Sequence, residues 1–123
     1  SADQVAYVSA HATSTPGGDG EEATAIANVF AGQLHHLHVS GIKSMVGHLL
    51  GGAGAMGAFA AVKAISDGII PPTINLENLD PVVEATGLNV TPNQAVRKTV
   101  RAALANSFGF GGTNASLVFK ALE

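Results

Sequence analysis

The chain contains no cysteine in its 123 residues. Disulfides, thiolate metal sites and a cysteine nucleophile are therefore excluded from these residues. Charge is also scarce. Lys, Arg, Asp and Glu supply 12% of the chain and hydrophobic residues 46%, where an average soluble domain carries roughly 25% charge. A lone domain of this length has little from which to make a polar skin, so part of its surface is expected to be covered by something else. The net charge of −3 offers no overall basic field to nucleic acid. Three of the six basic residues cluster at Arg97, Lys98 and Arg101, either as a solvated turn or as a small dock for an acidic partner. The longest apolar run, residues 49–62, is glycine-rich and short of the ~20 residues that span a bilayer. The first residues show neither a charged leader nor a signal-type apolar stretch, and a strand follows almost at once, the pattern expected of a chain cut at a boundary.

What is present reads as alternating strands and helices. Residues 5–10 form a short buried strand around Tyr7 and Val8, and residues 37–40 a second. Between them, the turn cluster at 13–20 leads into a helix capped by Asp19, with Glu21 and Glu22 in its first turn and Ile26 and Phe30 along its apolar side. Residues 51–66 read as a helix despite four glycines, and with no polar side chain before Lys63 it is expected to be buried on all sides. Residues 71–81 and 92–101 read as irregular. Residues 102–107 and 115–120 read as strands joined by a glycine-rich segment. This order predicts a layered α/β fold.

Three segments carry candidate chemistry. Ser9-Ala10-His11-Ala12-Thr13-Ser14-Thr15-Pro16 places a histidine and three hydroxyls where a strand ends, the usual position of sites in α/β sheets. Lys43-Ser44-Met45-Val46-Gly47-His48 sets a histidine ahead of the glycine-rich helix, whose dipole disfavours the imidazolium and leaves a neutral N–H donor. Asn106-Ser107-Phe108-Gly109-Phe110-Gly111-Gly112-Thr113-Asn114 has three glycines in four positions. These either bring backbone N–H groups close to an oxyanion or make a tight β-turn. Two neutral imidazole donors and a backbone nest suit a reaction in which negative charge develops on a carbonyl oxygen, as in an enolate or a tetrahedral thioester adduct.

These segments, in this order and with Pro-Pro-Thr-Ile-Asn-Leu-Glu-Asn at 71–78 between them, resemble the C-terminal half of the β-ketoacyl-acyl carrier protein synthases over nearly the whole chain. The resemblance implies a mixed-sheet, thiolase-like half-domain over residues 1–123. It implies an acyltransferase of fatty-acid biosynthesis that extends an acyl chain by decarboxylative Claisen condensation with malonyl-acyl carrier protein. The acyl-accepting cysteine of that family lies in the N-terminal half, so these residues alone are expected to be inactive. By motif, His11 and His48 match the histidines that stabilise the enolate, Lys43 the supporting lysine, and Phe108 the gating residue whose N–H helps build the oxyanion hole. Thr13 and Thr15 match the threonines that hydrogen-bond the phosphopantetheine arm. The resemblance implies no tightly bound cofactor and no metal. The implied partners are the acyl carrier protein, the N-terminal half and a second copy in a homodimer, with no nucleic acid or membrane. The setting is cytoplasmic, or the plastid or mitochondrial matrix.

Ala12 departs from a frequent glycine, and Ile42 and Val46 from frequent threonines, which puts the support of Lys43 in question. A degradative thiolase would carry a second cysteine in the last motif. Polyketide ketosynthases usually read His-Gly-Thr-Gly-Thr at the first, so Thr13-Ser14-Thr15-Pro16 favours fatty-acid elongation. A different class, a non-catalytic carrier-binding or accessory module, fits the missing nucleophile but gives paired enolate donors no purpose. Gly52-Ala53-Gly54-Ala55-Met56-Gly57 satisfies a dinucleotide pattern, but ten residues separate the preceding strand from Gly51. His35, His36 and His38 read better as a solvated hairpin or strand edge than as metal ligands.

Overall fold

The computed structural model describes residues 1–122. Its centre is a four-stranded mixed sheet in the order β2-β1-β5-β6, built from β1 (Val5–Ser9), β2 (His38–Ser40), β5 (Ala102–Gly109) and β6 (Thr113–Lys120). Strand β1 runs parallel to both β2 and β5, while β5 and β6 form an antiparallel hairpin. All five residues of β1 are buried, as expected of a strand covered on both faces. An irregularity in register between Val5 and Tyr7 breaks strict side-chain alternation, and the apolar residues of the strand divide between two cores. Val5 and Val8 join Ile26, Phe30, Leu37 and Val39 beneath α1 (Gly18–Val29). Ala6 and Tyr7 join Ala61, Ala64, Ala103 and Ala105 beneath α3 (Ala53–Asp67). Tyr7 and Ser40 share a buried hydrogen bond of 2.8 Å across β1 and β2.

Several elements differ from the sequence expectation. Asp19 does not cap α1. Gly17 takes φ +84° before the helix, which then begins at Gly18, where a Cβ would lie 2.7 Å from Thr15 Oγ1. Asp19 therefore falls inside the first turn, where its carboxylate accepts the N–H of Ser14 at 3.1 Å. Helix α3 is not buried on all sides within this chain. Gly57, Ala60, Ala61 and Ala64 face the sheet, but Phe59 is 58% exposed and Val62 also faces outward. The absence of a polar face thus leaves an apolar surface rather than an interior helix.

The segments read as irregular contain short structure: α2 (Lys43–Val46), α4 (Pro81–Ala85) and a two-stranded ribbon of β3 (Ile69–Ile70) with β4 (Val96–Arg97). Of these, α4 carries a readable start signal, since Asp80 accepts the Val82 N–H at 2.8 Å and proline occupies the first turn. The last glycine-rich segment is mostly strand. Gly111 and Gly112 both adopt φ +81° and close the β5–β6 hairpin, so the turn is the use to which those glycines are put. Phe110 at its tip is fully exposed.

Candidate functional site

The site is assembled where β1 and β5 end side by side. The chain leaves β1 into His11 and bends through Ala12 at φ +37° and Ser14 at φ +59°. This uncommon backbone is held by a residue the sequence reading treated only as a first-turn acid. Glu22 is 7% exposed. One of its oxygens accepts the N–H of His11 at 2.9 Å and the side-chain amide of Asn106 at 3.1 Å, and the other accepts the N–H of Ala12 at 2.9 Å. A buried carboxylate needs such donors to replace water. A signal for it exists in the sequence: Glu22 stands on the same helical stripe as Ile26 and Phe30, where an apolar residue would ordinarily sit. Asn106 accepts in turn from the Ser116 hydroxyl at 2.7 Å, so the brace reaches from α1 through β5 to β6.

Lys43 opens α2 and lies half-buried, its Nζ donating to the His11 carbonyl. Burial lowers its pKa, opposed by the charges of Glu22 and Asp19. Ser44 beside it donates to the Gly41 carbonyl at 2.8 Å and accepts the Ile74 N–H at 2.9 Å. Thr73 accepts the Gly41 N–H at 3.1 Å and donates to the Val90 carbonyl at 2.7 Å. These hydroxyls anchor the lysine loop to residues 71–78, a connection that sequence spacing could not reveal.

His48 is separated from α3 by a 3₁₀ turn at Leu50–Gly52. Its tautomer is set by a local bond instead, because Leu50 donates its N–H to His48 Nδ1 at 3.0 Å. His11 Nδ1 faces a similar donor, the Phe108 N–H, at a longer 3.4 Å. In both rings Nδ1 accepts, so the neutral imidazole carries its proton on Nε2. The two rings meet edge to face with centroids 5.9 Å apart, and the Phe108 ring lies 5.4 Å from that of His11. Burial, reinforced by the charge of Lys43 and opposed by Glu22, lowers the His11 pKa from its ordinary 6.5. The Phe108 N–H, expected at an oxyanion hole, is directed here at His11.

Thr13 and Thr15 place their hydroxyls 3.1 Å apart. With Lys43 and His48 they line a cavity of about 680 Å³ whose floor includes Ile26 and Val39. The structure thus brings His11, His48, Lys43 and Phe108 together, with the two threonines on the adjoining wall. His35, His36 and His38 lie elsewhere, and among the described residues no group of three or more His, Asp or Glu side chains is placed to hold a metal ion. In the basic cluster, Lys98 donates to the His36 carbonyl and Arg97 belongs to β4.

This fold, with two histidine rings meeting at the end of a mixed sheet, is that of a ketosynthase half. Residues 1–77 match the family described as the C-terminal domain of β-ketoacyl synthases, and the chain belongs to that family. It is 48% identical over 118 residues to 3-oxoacyl-(acyl-carrier-protein) synthase 2 of Synechocystis, spanning 96% of this chain and 28% of the relative. It is 52% identical over 119 residues to the chloroplastic 3-oxoacyl-(acyl-carrier-protein) synthase II of Arabidopsis thaliana, spanning 97% and 21%. Among solved structures, a β-ketoacyl synthase from Burkholderia phymatum superposes with a TM-score of 0.89 at 35% identity, over 99% of this chain and 29% of that one. A type II polyketide ketosynthase solved with its acyl-carrier protein superposes at 0.91 with 34% identity, over 99% and 29%. The thiolase-like fold is therefore that of the ketosynthases, and the chain spans less than a third of the curated relatives it matches.

Proposed function

We propose that these residues are the C-terminal half-domain of a 3-oxoacyl-acyl carrier protein synthase and supply its enolate-stabilising donors. The observation that carries this is the pairing of His11 and His48, each with Nδ1 satisfied by a backbone N–H and Nε2–H left to donate. Two such donors on one thioester carbonyl favour the state in which charge has moved onto oxygen. As the bond between the malonyl carboxylate and C2 breaks, carbon dioxide leaves and its electron pair forms the enolate. The enolate carbon then attacks an acyl thioester on a cysteine contributed from outside these residues, expelling the thiolate.

Thr13 and Thr15 hydroxyls at the cavity suit the amides of a phosphopantetheine arm, and the carrier-bound ketosynthase relative supports an acyl carrier protein as substrate carrier. The exposed apolar side chains of α3, with Leu117 and Val118 of β6, would be covered by the N-terminal half. The complete enzyme would act as a homodimer. Fatty-acid elongation is favoured over polyketide synthesis by the Thr13-Ser14-Thr15-Pro16 segment and by curated relatives named 3-oxoacyl-(acyl-carrier-protein) synthase at 45–52% identity.

The test is condensation by the complete protein containing this chain, supplied with malonyl- and acyl-carrier thioesters. The expected result is carbon dioxide release and a 3-oxoacyl product, with neither from residues 1–123 alone. Tight carrier binding by the complete protein without carbon dioxide release would favour the accessory module.

A pH dependence follows from His11. Its neutral form provides the Nδ1 acceptor for Phe108, and its pKa lies below the ordinary 6.5. Decarboxylation should therefore persist below pH 6.5 and fall only as pH drops through the lowered value. Lys43→Met removes one of the influences that lower it, so the acid limb of the pH–rate profile should move upward. An unmoved limb would count against electrostatic coupling of Lys43 to His11.

A further inference from the structure

Gly41 links β2 to α2, two residues before Lys43, and its backbone does not call for glycine, since its φ lies outside the left-handed region. It is buried. A Cβ added there would come within 2.9 Å of the Ala12 Cβ, whereas the next neighbours, Ala12 O and Thr73 Cγ2, stand at ordinary distances of 3.8 and 4.0 Å. A single methyl therefore bars a side chain at position 41. That methyl is rooted directly on the backbone and has no rotamer by which to turn aside. Neither side can readily retreat. Gly41 is fixed through its N–H to Thr73 and its carbonyl to Ser44. The Ala12 loop is fixed by Glu22 at two N–H groups and by Lys43 at the His11 carbonyl.

We infer that Ala12 and Gly41 are a steric pair that sets the spacing between the His11 loop and the Lys43 loop, so that only one of the two positions can carry a side chain. Reaching ordinary contact with a methyl at both would require the loops to part by about half an ångström. His11 lies on one side of that gap and Lys43 on the other. The pair acts through these residues and is a positioning pair. Its kinetic consequence rests on the enolate-stabilising role proposed for His11, but its steric consequence does not.

A double-mutant cycle in the complete protein separates the two. Gly41→Ala is expected to lower kcat for malonyl decarboxylation by about 100-fold, the scale of a small misplacement of reacting groups, with little change in KM. It should also lower Tm. Adding Ala12→Gly removes the opposing methyl and should return kcat to within about fivefold of Ala12→Gly alone, with most of the Tm recovered. A merely structural role would lower Tm without lowering kcat of the folded protein. Gly41→Ala within about threefold of the parent, or a double variant as slow as Gly41→Ala, overturns the inference. Should Gly41→Ala fail to fold, the double variant decides: folding and turnover like Ala12→Gly support the pair, and equal failure to fold overturns it. If the parent itself releases no carbon dioxide, the enolate role falls, and the Tm cycle still tests the pair. Additive Tm changes overturn it and compensating ones support it.

Discussion

His11→Ala or His48→Ala in the complete protein is expected to slow carbon dioxide release from malonyl-acyl carrier protein by at least ~100-fold, the scale of removing one donor from a developing oxyanion. The two rings come from different segments with centroids 5.9 Å apart, so in the proposed role neither can take over the geometry of the other. Acyl transfer onto the cysteine should suffer less, because negative charge in that step is not lodged on the malonyl carbonyl. The measurement is single-turnover release of labelled carbon dioxide beside a separate acylation assay. Near-normal decarboxylation in both variants would remove the basis for assigning these histidines as enolate donors. Equal losses in both assays would point instead to a general structural fault.

The second large effect belongs to Glu22. Glu22→Gln keeps size and shape but turns one carboxylate oxygen into a donor that must face His11 N–H and Asn106 on one side or Ala12 N–H on the other. A buried donor left facing a donor costs about 1–3 kcal/mol, and Tm should fall accordingly. Because the same carboxylate holds Ala12 at φ +37°, its loss also frees the segment that aims His11. Decarboxylation is expected to fall by about 100-fold even in the folded fraction, as misplacement near the reacting groups can produce. Thermal melts and decarboxylation of the variant distinguish the effects. A lower Tm with unchanged kcat would show that Glu22 stabilises the fold without positioning His11.

How far the molecule was legible varied with the range of the interaction. The strand at 5–10 and the hairpin strands could be placed because continuous apolar runs bounded by turns act locally. The helix at 51–66 was placed too, but its surroundings were misjudged. Composition shows that a helix lacks a polar face, not which chain covers it, and here Phe59 remains exposed. The start of α1 was misplaced because Gly17 and Gly18 could be read as turn residues, while the close approach of Thr15 to Gly18 exists only once the loop has folded back. Residues 69–70 and 96–97 are too short to show a period, and they pair across 26 or more residues of chain.

By itself the sequence determined the α/β order, the lack of any nucleophilic cysteine and the segments bearing His11, Lys43, His48 and Phe108, since these depend on residue type and local spacing. Tertiary structure decided which atoms of those residues are free to act. Leu50 and Phe108 leave Nε2–H as the donor of each histidine. Glu22 braces the His11 loop from another element, and the Ala12 methyl excludes a side chain at Gly41. Hydrogen bonds and steric contacts between residues far apart in the chain follow from its path through space, which no local pattern encodes.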